Sequence, residues 1–328
     1  MKRQISLFSI LLSIHINCIG QILSTQPIDI PIGPTTFNPA GIKKNKIKSV
    51  LVIIMDKPDG SVIIDKGATQ GYEFDLNGNL TRYYYTVLDN IEVKQEDVPA
   101  IKKRGRIIQG ATTQTVTKYI NDTIFANVFY DNQNRIISKR VRTGDYYDAY
   151  YYEYNEQGYI KKEMHFKETN ISEDKNEFKL GVQNILSAET FTYTELTSTQ
   201  IKKQCFNDEG REYKKAIINY DAKGNKLSEN YEFIVSWMRQ ETSYKYDSNN
   251  NLQERLFITN ESGDLKEYSV FENSPGGLLL SEKKFKNNIL LYEISYLYDE
   301  ASTFVRAQVS RDHKRASIGI VKYNYTFY

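Results

Sequence analysis

The sequence predicts an all-β protein: an extended, twisted antiparallel β-meander built from strand–turn repeats of about 13 residues. Three observations lead there. A turn cassette recurs along the chain, as in Asn219-Tyr220-Asp221-Ala222-Lys223-Gly224-Asn225 and Lys245-Tyr246-Asp247-Ser248-Asn249-Asn250-Asn251-Leu252. Tyr220, Tyr246, Glu272 and Tyr298 stand 26 residues apart, and Thr259 falls 13 from each of its two neighbours. The chain holds 26 tyrosines, a residue suited to a pleated, half-buried surface with its ring packed and its hydroxyl wet. Helical periodicity is absent except over 173–186.

Eight copies align on a seven-position frame. Position 1 is Phe74, Tyr130, Tyr154, Phe206, Tyr220, Tyr246, Thr259 and Glu272. Position 2, always Asp or Asn, is Asp75, Asp131, Asn155, Asn207, Asp221, Asp247, Asn260 and Asn273. Position 5, always Gly or Asn, is Gly78, Asn134, Gly158, Gly210, Gly224, Asn250, Gly263 and Gly276. Position 7 is aliphatic in six copies, from Leu80 to Leu278. Asp or Asn opens a type I turn because its side chain accepts from backbone N–H groups ahead of it. Gly or Asn three residues later takes the left-handed conformation that a Cβ penalises. Together they make a three-residue hairpin loop with a G1 bulge. Copies 26 residues apart should share one edge of the sheet, and copies 13 apart should face opposite ways.

Tyr-Asp-x-x-Gly-Asn, as in residues 220–225, resembles the YD repeat of RHS-type repeat proteins, and the resemblance covers roughly residues 70–300 in degenerate form. It implies a secreted or surface-exposed bacterial protein with a long, curled antiparallel sheet. In large members the sheet becomes a shell around a toxin or other cargo. This chain shows no separate toxin-like C-terminal domain and no Asp-Pro-rich self-cleavage segment, so that function is not carried over. The repeat has no catalytic residues to transfer.

Residues 1–20 read as a signal peptide: Lys2 and Arg3, then an apolar stretch from Ile5 to Ile16, with cleavage expected before Gln21. The alternative is a lipid anchor at Cys18, although His15-Ile16-Asn17 lacks the usual lipobox residues. The apolar run is shorter than the roughly 20 residues of a membrane span, so no transmembrane span is expected after cleavage. Cleavage leaves 41 Lys plus Arg (43 less two) against 41 Asp plus Glu. A formally neutral chain argues against nucleic acid as a partner. Cys205 is then the remaining cysteine, which excludes an intramolecular disulfide and points to a small buried side chain.

Residues 21–47, with Pro27, Pro31, Pro34 and Pro39, read as an irregular Pro-rich spacer. Residues 48–328 form the YD-like β-repeat domain. Ser49–Met55 and Ser61–Lys66 make a hairpin around Lys57-Pro58-Asp59-Gly60, and Leu80–Val87 leaves the first cassette. An irregular insertion at about 89–112 carries the basic run Lys102-Lys103-Arg104-Gly105-Arg106, read as a solvated loop or a site for an acidic partner. Thr115–Ile120 and Thr123–Tyr130 are strands about a turn at Asn121-Asp122, followed by Ile136–Val141, Ala149–Tyr154 and Ile160–Phe166. A second insertion at about 168–187 replaces a turn and leaves the strand phase intact, with Phe178 and Leu180 packing it back on the sheet. Strands then run to Ile318–Tyr328, with no clear turn near Phe233.

No catalytic constellation stands out. His165 and His313 are the histidines beyond the signal segment, and two lone histidines with one cysteine give neither a metal set nor a nucleophile–base pair. Asp75-Leu76-Asn77-Gly78-Asn79 lacks calcium-loop ligand spacing, and turn chemistry accounts for it. Glu153 and Glu156 are a carboxylate pair of the kind a glycosidase uses, in a spacing that does not fix their separation. No catalytic, cofactor or metal residue is assigned. The reading is a secreted or periplasmic, non-enzymatic β-repeat protein offering an extended surface to a protein or glycan at the cell envelope. The alternatives are a component of a toxin-related or surface export system, as in RHS proteins, and a glycan-acting enzyme with carboxylates on a concave face. The charge balance sets one expectation: the mature protein should leave a heparin column below about 0.3 M salt, and retention above that would contradict it.

Overall fold

The computed structural model describes residues 21–94, 102–103, 106–107, 115–143, 145–173, 178–261, 263, 265–300 and 303–328. The signal segment expected at 1–20 and Cys18 lie outside them. A short helix, α1 (Pro39–Lys44), precedes the strands β1 (Ile47–Pro58), β2 (Ile64–Phe74) and β3 (Leu80–Lys94). A two-stranded ribbon, β4 (Lys102–Lys103) and β5 (Arg106–Ile107), sits in the long connection that follows. The wall continues with β6 (Thr115–Tyr130), β7 (Ile136–Thr143), β8 (Tyr146–Tyr154), β9 (Ile160–Asn170), β10 (Leu180–Thr197), β11 (Gln200–Phe206) and β12 (Glu212–Tyr220). It is completed by β13 (Lys226–Phe233), β14 (Arg239–Tyr246), β15 (Leu252–Thr259), β16 (Leu265–Asn273), β17 (Leu279–Lys286), β18 (Ile289–Tyr298), β19 (Val305–Asp312) and β20 (Ser317–Phe327).

Eighteen strands form one sheet, each antiparallel to its neighbour in the chain, with β3 passing directly to β6. β20 pairs back onto β1, from Ile47↔Phe327 to Pro58↔Ser317. The meander is therefore a closed barrel, not the open extended sheet expected. Closure satisfies the backbone groups of the first and last strands, which an open sheet leaves bare.

The cassettes fold by the turn chemistry read from the sequence. Asp75 shows the pattern: its carboxylate accepts from the N–H groups of Asn77 (2.8 Å) and Asn79 (2.9 Å), and its carbonyl accepts from Gly78 N–H at 3.0 Å. Asp131, Asp221 and Asp247 repeat the arrangement. Seven of the eight expected position-5 residues have positive φ: Gly78, Asn134, Gly158, Gly210, Gly224, Asn250 and Gly263. The exception is Gly276. In that copy Gly277 takes φ 83° and donates to Ser274 O at 2.8 Å, so the frame sits one residue later. Ser274 opens the turn where Asn273 was expected.

Seven of the eight turns are followed by a bulge, as where the register slips between Glu73↔Arg82 and Phe74↔Leu80; the β15–β16 pairing, with Thr259↔Leu265, has none. In several copies the carbonyl that starts the new strand is then taken by a tyrosine of a neighbouring hairpin, while Leu252 O accepts from Asn273 Nδ2 at 3.1 Å. Tyr130 OH donates to Leu80 O (2.9 Å), Tyr154 OH to Ile136 O (2.7 Å), Tyr246 OH to Lys226 O (2.9 Å) and Tyr298 OH to Leu279 O (2.8 Å). Tyr328 OH donates to Phe74 O, the carbonyl that ends β2.

Turns 75–79, 131–135, 155–159, 221–225, 247–251 and 274–278 share one end of the barrel with α1. Turn 207–211 and the described residues Asn260, Glu261 and Gly263 lie at the other end. The 26-residue rule therefore holds from Tyr220 to Tyr298. It fails from Tyr154 to Phe206, because three strands, β9 to β11, fill those 52 residues and reverse the end. The second insertion is largely sheet: β9 runs to Asn170 and β10 begins at Leu180, so residues 180–186 of the window that kept helical periodicity are strand. Asn121 and Asp122 make no turn, since β6 runs straight through them opposite Leu88 and Val87. Near Phe233 a turn closes by Phe233 N–H donating to Met238 O at 2.9 Å, with Trp237 left-handed.

The Pro-rich segment is not a spacer. Ile22, Leu23, Phe37 and Ile42 are buried in the main core with Ile47, Val50, Tyr72, Phe74, Tyr83, Val305 and Tyr323. Phe37 meets the rings of Tyr72 and Phe74 edge-on at 4.8 and 5.1 Å. Asn38 caps α1 by accepting from Ala40 N–H at 3.1 Å, and Pro39 occupies its first turn. The segment thus enters the barrel and fills part of it.

This packing separates two glycines that the turn chemistry treats alike. A Cβ on Gly224 (φ 86°) would meet nothing within 4 Å, whereas one on Gly78 (φ 84°) would lie 2.1 Å from Pro39 O. Gly224→Ala should cost about 1–2 kcal/mol, the left-handed penalty alone. Gly78→Ala should cost clearly more because α1 must shift. Urea midpoints compare them, and equal losses would contradict the α1 contact.

Candidate functional site

The residues singled out in the sequence do not converge. Cys205 is buried on β11, and burial pushes its thiol up, away from reactivity. His165 Nε2 lies 3.0 Å from Asp148 Oδ1, with its ring stacked on Tyr150 at 4.3 Å. His313 sits 3.8 Å from Glu293 Oε2 beside the β19–β20 turn. Glu153 pairs with Lys161 at 3.3 Å, and Glu156 is exposed in its turn. The Asp75 carboxylate is taken up by its own turn. Of the basic run at 102–106, Lys102, Lys103 and Arg106 belong to the β4–β5 ribbon, and Arg104 and Gly105 lie outside the described residues.

What converges is the barrel interior. Residues 24–36 form a loop whose neck is closed by Ser24 N–H to Thr36 O (2.9 Å) and Asn38 N–H to Ile22 O (2.8 Å). Two cavities flank it. The first, about 590 Å³, is walled by β2, β3 and β6 to β13; the second, about 600 Å³, by β1, β2 and β14 to β20. Volumes of roughly 300–1,000 Å³ are those of small-molecule sites. The first cavity is aromatic and aliphatic: Tyr130, Tyr154, Tyr159, Tyr193, Tyr220, Tyr231, Phe191, Ile201 and Ile218 face it. Several of these hydroxyls are already bonded to wall carbonyls, Tyr193 OH to Ile160 O among them (3.0 Å), so the rings present their faces.

A set of charges lies among these rings. Glu163 and Lys203 line the cavity, as do Lys226, Glu229 and Asp29 of the loop. Glu163 stands directly opposite Glu189 in the β9–β10 register. Burial first, and Glu189 second, push the Glu163 carboxyl up; Lys139, Lys203 and Lys214 act against that. Burial also pushes the Lys139 ammonium down. Tyr213 OH donates to Glu189 Oε2 at 2.5 Å, and Tyr231 OH to Glu229 Oε1 at 2.6 Å. Lys203 sits over the Phe191 ring at 4.4 Å and Lys214 over Tyr231 at 4.9 Å, which replaces part of the water these ammoniums lose.

The outer face is different in kind. Between the inward residues Tyr72 and Phe74 stands Glu73, 3.7 Å from Arg82. The same alternation turns out Lys215–Glu232 (3.1 Å), Lys245–Glu254 (2.7 Å) and Lys283–Glu293 (2.8 Å). Over β7 to β9 the outer surface has a small core of its own. Arg140 Nε donates to the buried Glu168 at 2.7 Å, and Phe178 covers Arg140 and Tyr147. Phe178 thus packs as expected, while Leu180 stays exposed.

The sequence matches no family model, and no curated protein is similar to it. Solved structures show distant likeness. A porin-like protein from Bacteroides uniformis is 11% identical with a TM-score of 0.37, over 90% of this chain and 99% of that one. A porin-like protein from Bacteroides vulgatus is 9% identical with a TM-score of 0.29, over 62% and 94%. A TcdB2-TccC3-TEV chain is 12% identical with a TM-score of 0.25, over 74% of this chain and 17% of that one. Likeness this distant carries no functional argument.

The buried tyrosines give the interior a measurable signature. Burial raises Tyr83, Tyr154, Tyr246 and Tyr323 from 10 to about 12. Between pH 10 and 12 the folded chain keeps protons that the unfolded chain releases, so stability is intact below 10 and falls as pH rises through that window. Absorbance at 295 nm should therefore show a late tyrosine class that ionises together with loss of the β-sheet circular dichroism. Complete ionisation near pH 10 with the fold intact would contradict the buried interior.

Proposed function

We propose that the protein is a non-enzymatic binding barrel of the envelope or the outside of the cell, which takes up a small ring-containing or amphiphilic molecule in its lumen. The observation that carries this reading is the aromatic cavity of about 590 Å³ beside the 24–36 loop. Binding sites of this kind are mostly apolar with a few fixed polar groups, and the rings around Glu163, Lys203 and Lys226 have that character.

The outer face supports an aqueous setting. A membrane barrel turns an apolar band to lipid and keeps its polar residues inside. Here ion pairs are spread over the outside among scattered exposed apolar residues such as Phe129, Leu227 and Leu297, and tyrosine, isoleucine and valine line the inside around its few charges, which supports an outer wall in water. A secreted or periplasmic address fits this wall and the signal segment expected at 1–20.

A second reading has one observation in its favour. Glu163 and Glu189 face each other across β9 and β10, and Glu163 is raised. Paired carboxylates with one raised are the pattern of a glycosidase. Tyr213, which donates to Glu189, and the lysines that act against the rise of Glu163 favour binding over hydrolysis.

The neutral fluorophore N-phenyl-1-naphthylamine tests the binding reading. It should bind saturably, with a blue-shifted emission. Ile201→Trp fills the cavity and should weaken binding about tenfold or more, while Ile217→Trp, on the outer face of β12, should leave it unchanged. The reading fails if binding does not saturate or if Ile201→Trp has no effect. Hydrolysis of a chromogenic glycoside that disappears in Glu163→Gln would favour the enzyme instead.

A further inference from the structure

One ammonium in the lumen is held by a carboxylate that does not belong to the wall. Lys226, at the start of β13, has a side chain 13% exposed. Its Nζ lies 2.9 Å from Asp29 Oδ1 and 3.5 Å from Glu229 Oε2. Glu229 is on the same strand and already accepts from Tyr231 OH. Asp29 is different: it sits in the 24–36 loop, its side chain 74% exposed. Two further bonds hold that part of the loop, Gln26 Nε2 to Asn250 O at 2.9 Å and Lys139 Nζ to Pro31 O at 3.2 Å. The neck is fixed by buried Ile22, Leu23 and Phe37, and the tip is lightly held: Ile28, Asp29 and Pro31 are all exposed.

We propose that Lys226 is the anion anchor of the chamber and that Asp29 holds the place of a ligand carboxylate. The ligand class is a small amphiphile bearing a carboxylate, its head on Lys226 and its body along Ile201, Ile218, Tyr193 and Tyr220 of the same cavity. The inference rests on the binding reading above and names what that site takes.

The energetics favour an exchange of this kind. A buried ammonium left unpaired is costly, so a ligand that removes Asp29 must supply its own negative charge. A carboxylate does so: the pair is re-formed and Asp29 returns to water. An alcohol or a cationic head cannot. Burial works against the Lys226 ammonium, and Asp29 and Glu229 more than offset it, which raises Lys226 above the usual lysine range. Glu229 alone, at 3.5 Å and shared with Tyr231, leaves room for a second carboxylate. Asp29 competes from within the same chain, where a tethered group acts at an effective concentration on the order of millimolar. Its removal should therefore strengthen ligand binding, an effect that a purely structural ion pair would not give.

The experiment displaces N-phenyl-1-naphthylamine with dodecanoate, dodecanol and dodecyltrimethylammonium, each below its micelle concentration. It is run on the wild-type chain and on Asp29→Asn and Lys226→Met, with circular dichroism confirming the fold. In the wild type, dodecanoate should bind about tenfold tighter than dodecanol, and the cation should bind weakest. Asp29→Asn should tighten dodecanoate about tenfold and leave dodecanol unchanged. Lys226→Met should erase the preference for the carboxylate. If the fluorophore binds but dodecanoate and dodecanol compete equally, or if Asp29→Asn leaves dodecanoate unchanged, the anchor is overturned while the chamber stands. If the fluorophore does not bind the wild type, the chamber reading falls first.

Discussion

A meander grown one strand at a time ends in two strands whose outer N–H and C=O groups have no partner. In this chain those strands are β1 and β20, and they partner each other along the whole of β1. The pairing removes both edges at once. It also fixes what the two faces of every strand meet: one looks into an enclosed lumen and the other outward. The tyrosine-rich interior, the ion-paired exterior and the two cavities are all consequences of that closure. Without it the same strands would present aromatic residues to water on an open surface, together with an edge ready to pair with another chain.

The cassette is what allows so many strands to add in register. The turn supplies local geometry through Asp or Asn and a left-handed residue, and the bulge that follows accentuates the bend a curved wall needs. The bulge also leaves a strand-opening carbonyl for the tyrosine of a neighbouring hairpin. That explains tyrosine at position 1, where phenylalanine would supply the same apolar ring. A neutral hydrogen bond of this sort is worth about 1 kcal/mol, and a buried acceptor stranded without one costs more. Repeated around one rim, these bonds tie hairpin to hairpin independently of the main-chain ladder. Tyr328 OH on Phe74 O adds a link across the closing seam.

The local rules were legible and the global ones were not. Asp75, Asp131 and Asp247 announce their turns because an Asx side chain and a left-handed residue act within five residues. The eighth copy slipped by one because Pro275-Gly276-Gly277 offers two glycines, and sequence does not say which turns left-handed. Closure was invisible, since β1 and β20 carry nothing local that marks them as partners. The lumenal charges were hidden by the bulges themselves. From Ile160, strict alternation puts Lys162, Met164 and Phe166 inward. The extra residue after the turn reverses the phase, so Glu163 and His165 face inward instead. A sequence reading that inserted one residue after each cassette would have found Glu163, though not that Glu189 lies opposite it.

Closing eighteen strands creates a problem of volume. Eight strands leave an interior that side chains can just fill, while sixteen to eighteen leave a channel. A wall with a largely apolar inner face cannot leave that channel empty and wet along its whole length without losing the burial that stabilises it. The N-terminal segment meets part of this need. Ile22, Leu23, Phe37 and Ile42 fill the lumen where β1, β2, β19 and β20 meet, which is the seam. Proline suits the task, because Pro27, Pro31 and Pro34 restrict an irregular loop before it is ordered and lower the entropy lost in placing it. The segment directly precedes β1, so the strand that closes the barrel carries its own filling into place. The long loop between β1 and β20 adds little to the cost of closure, which grows only logarithmically with length. What the filling does not reach remains as the two cavities on either side of residues 24–36, and an interior that must be partly filled by a loop of its own chain is also one with room for another molecule.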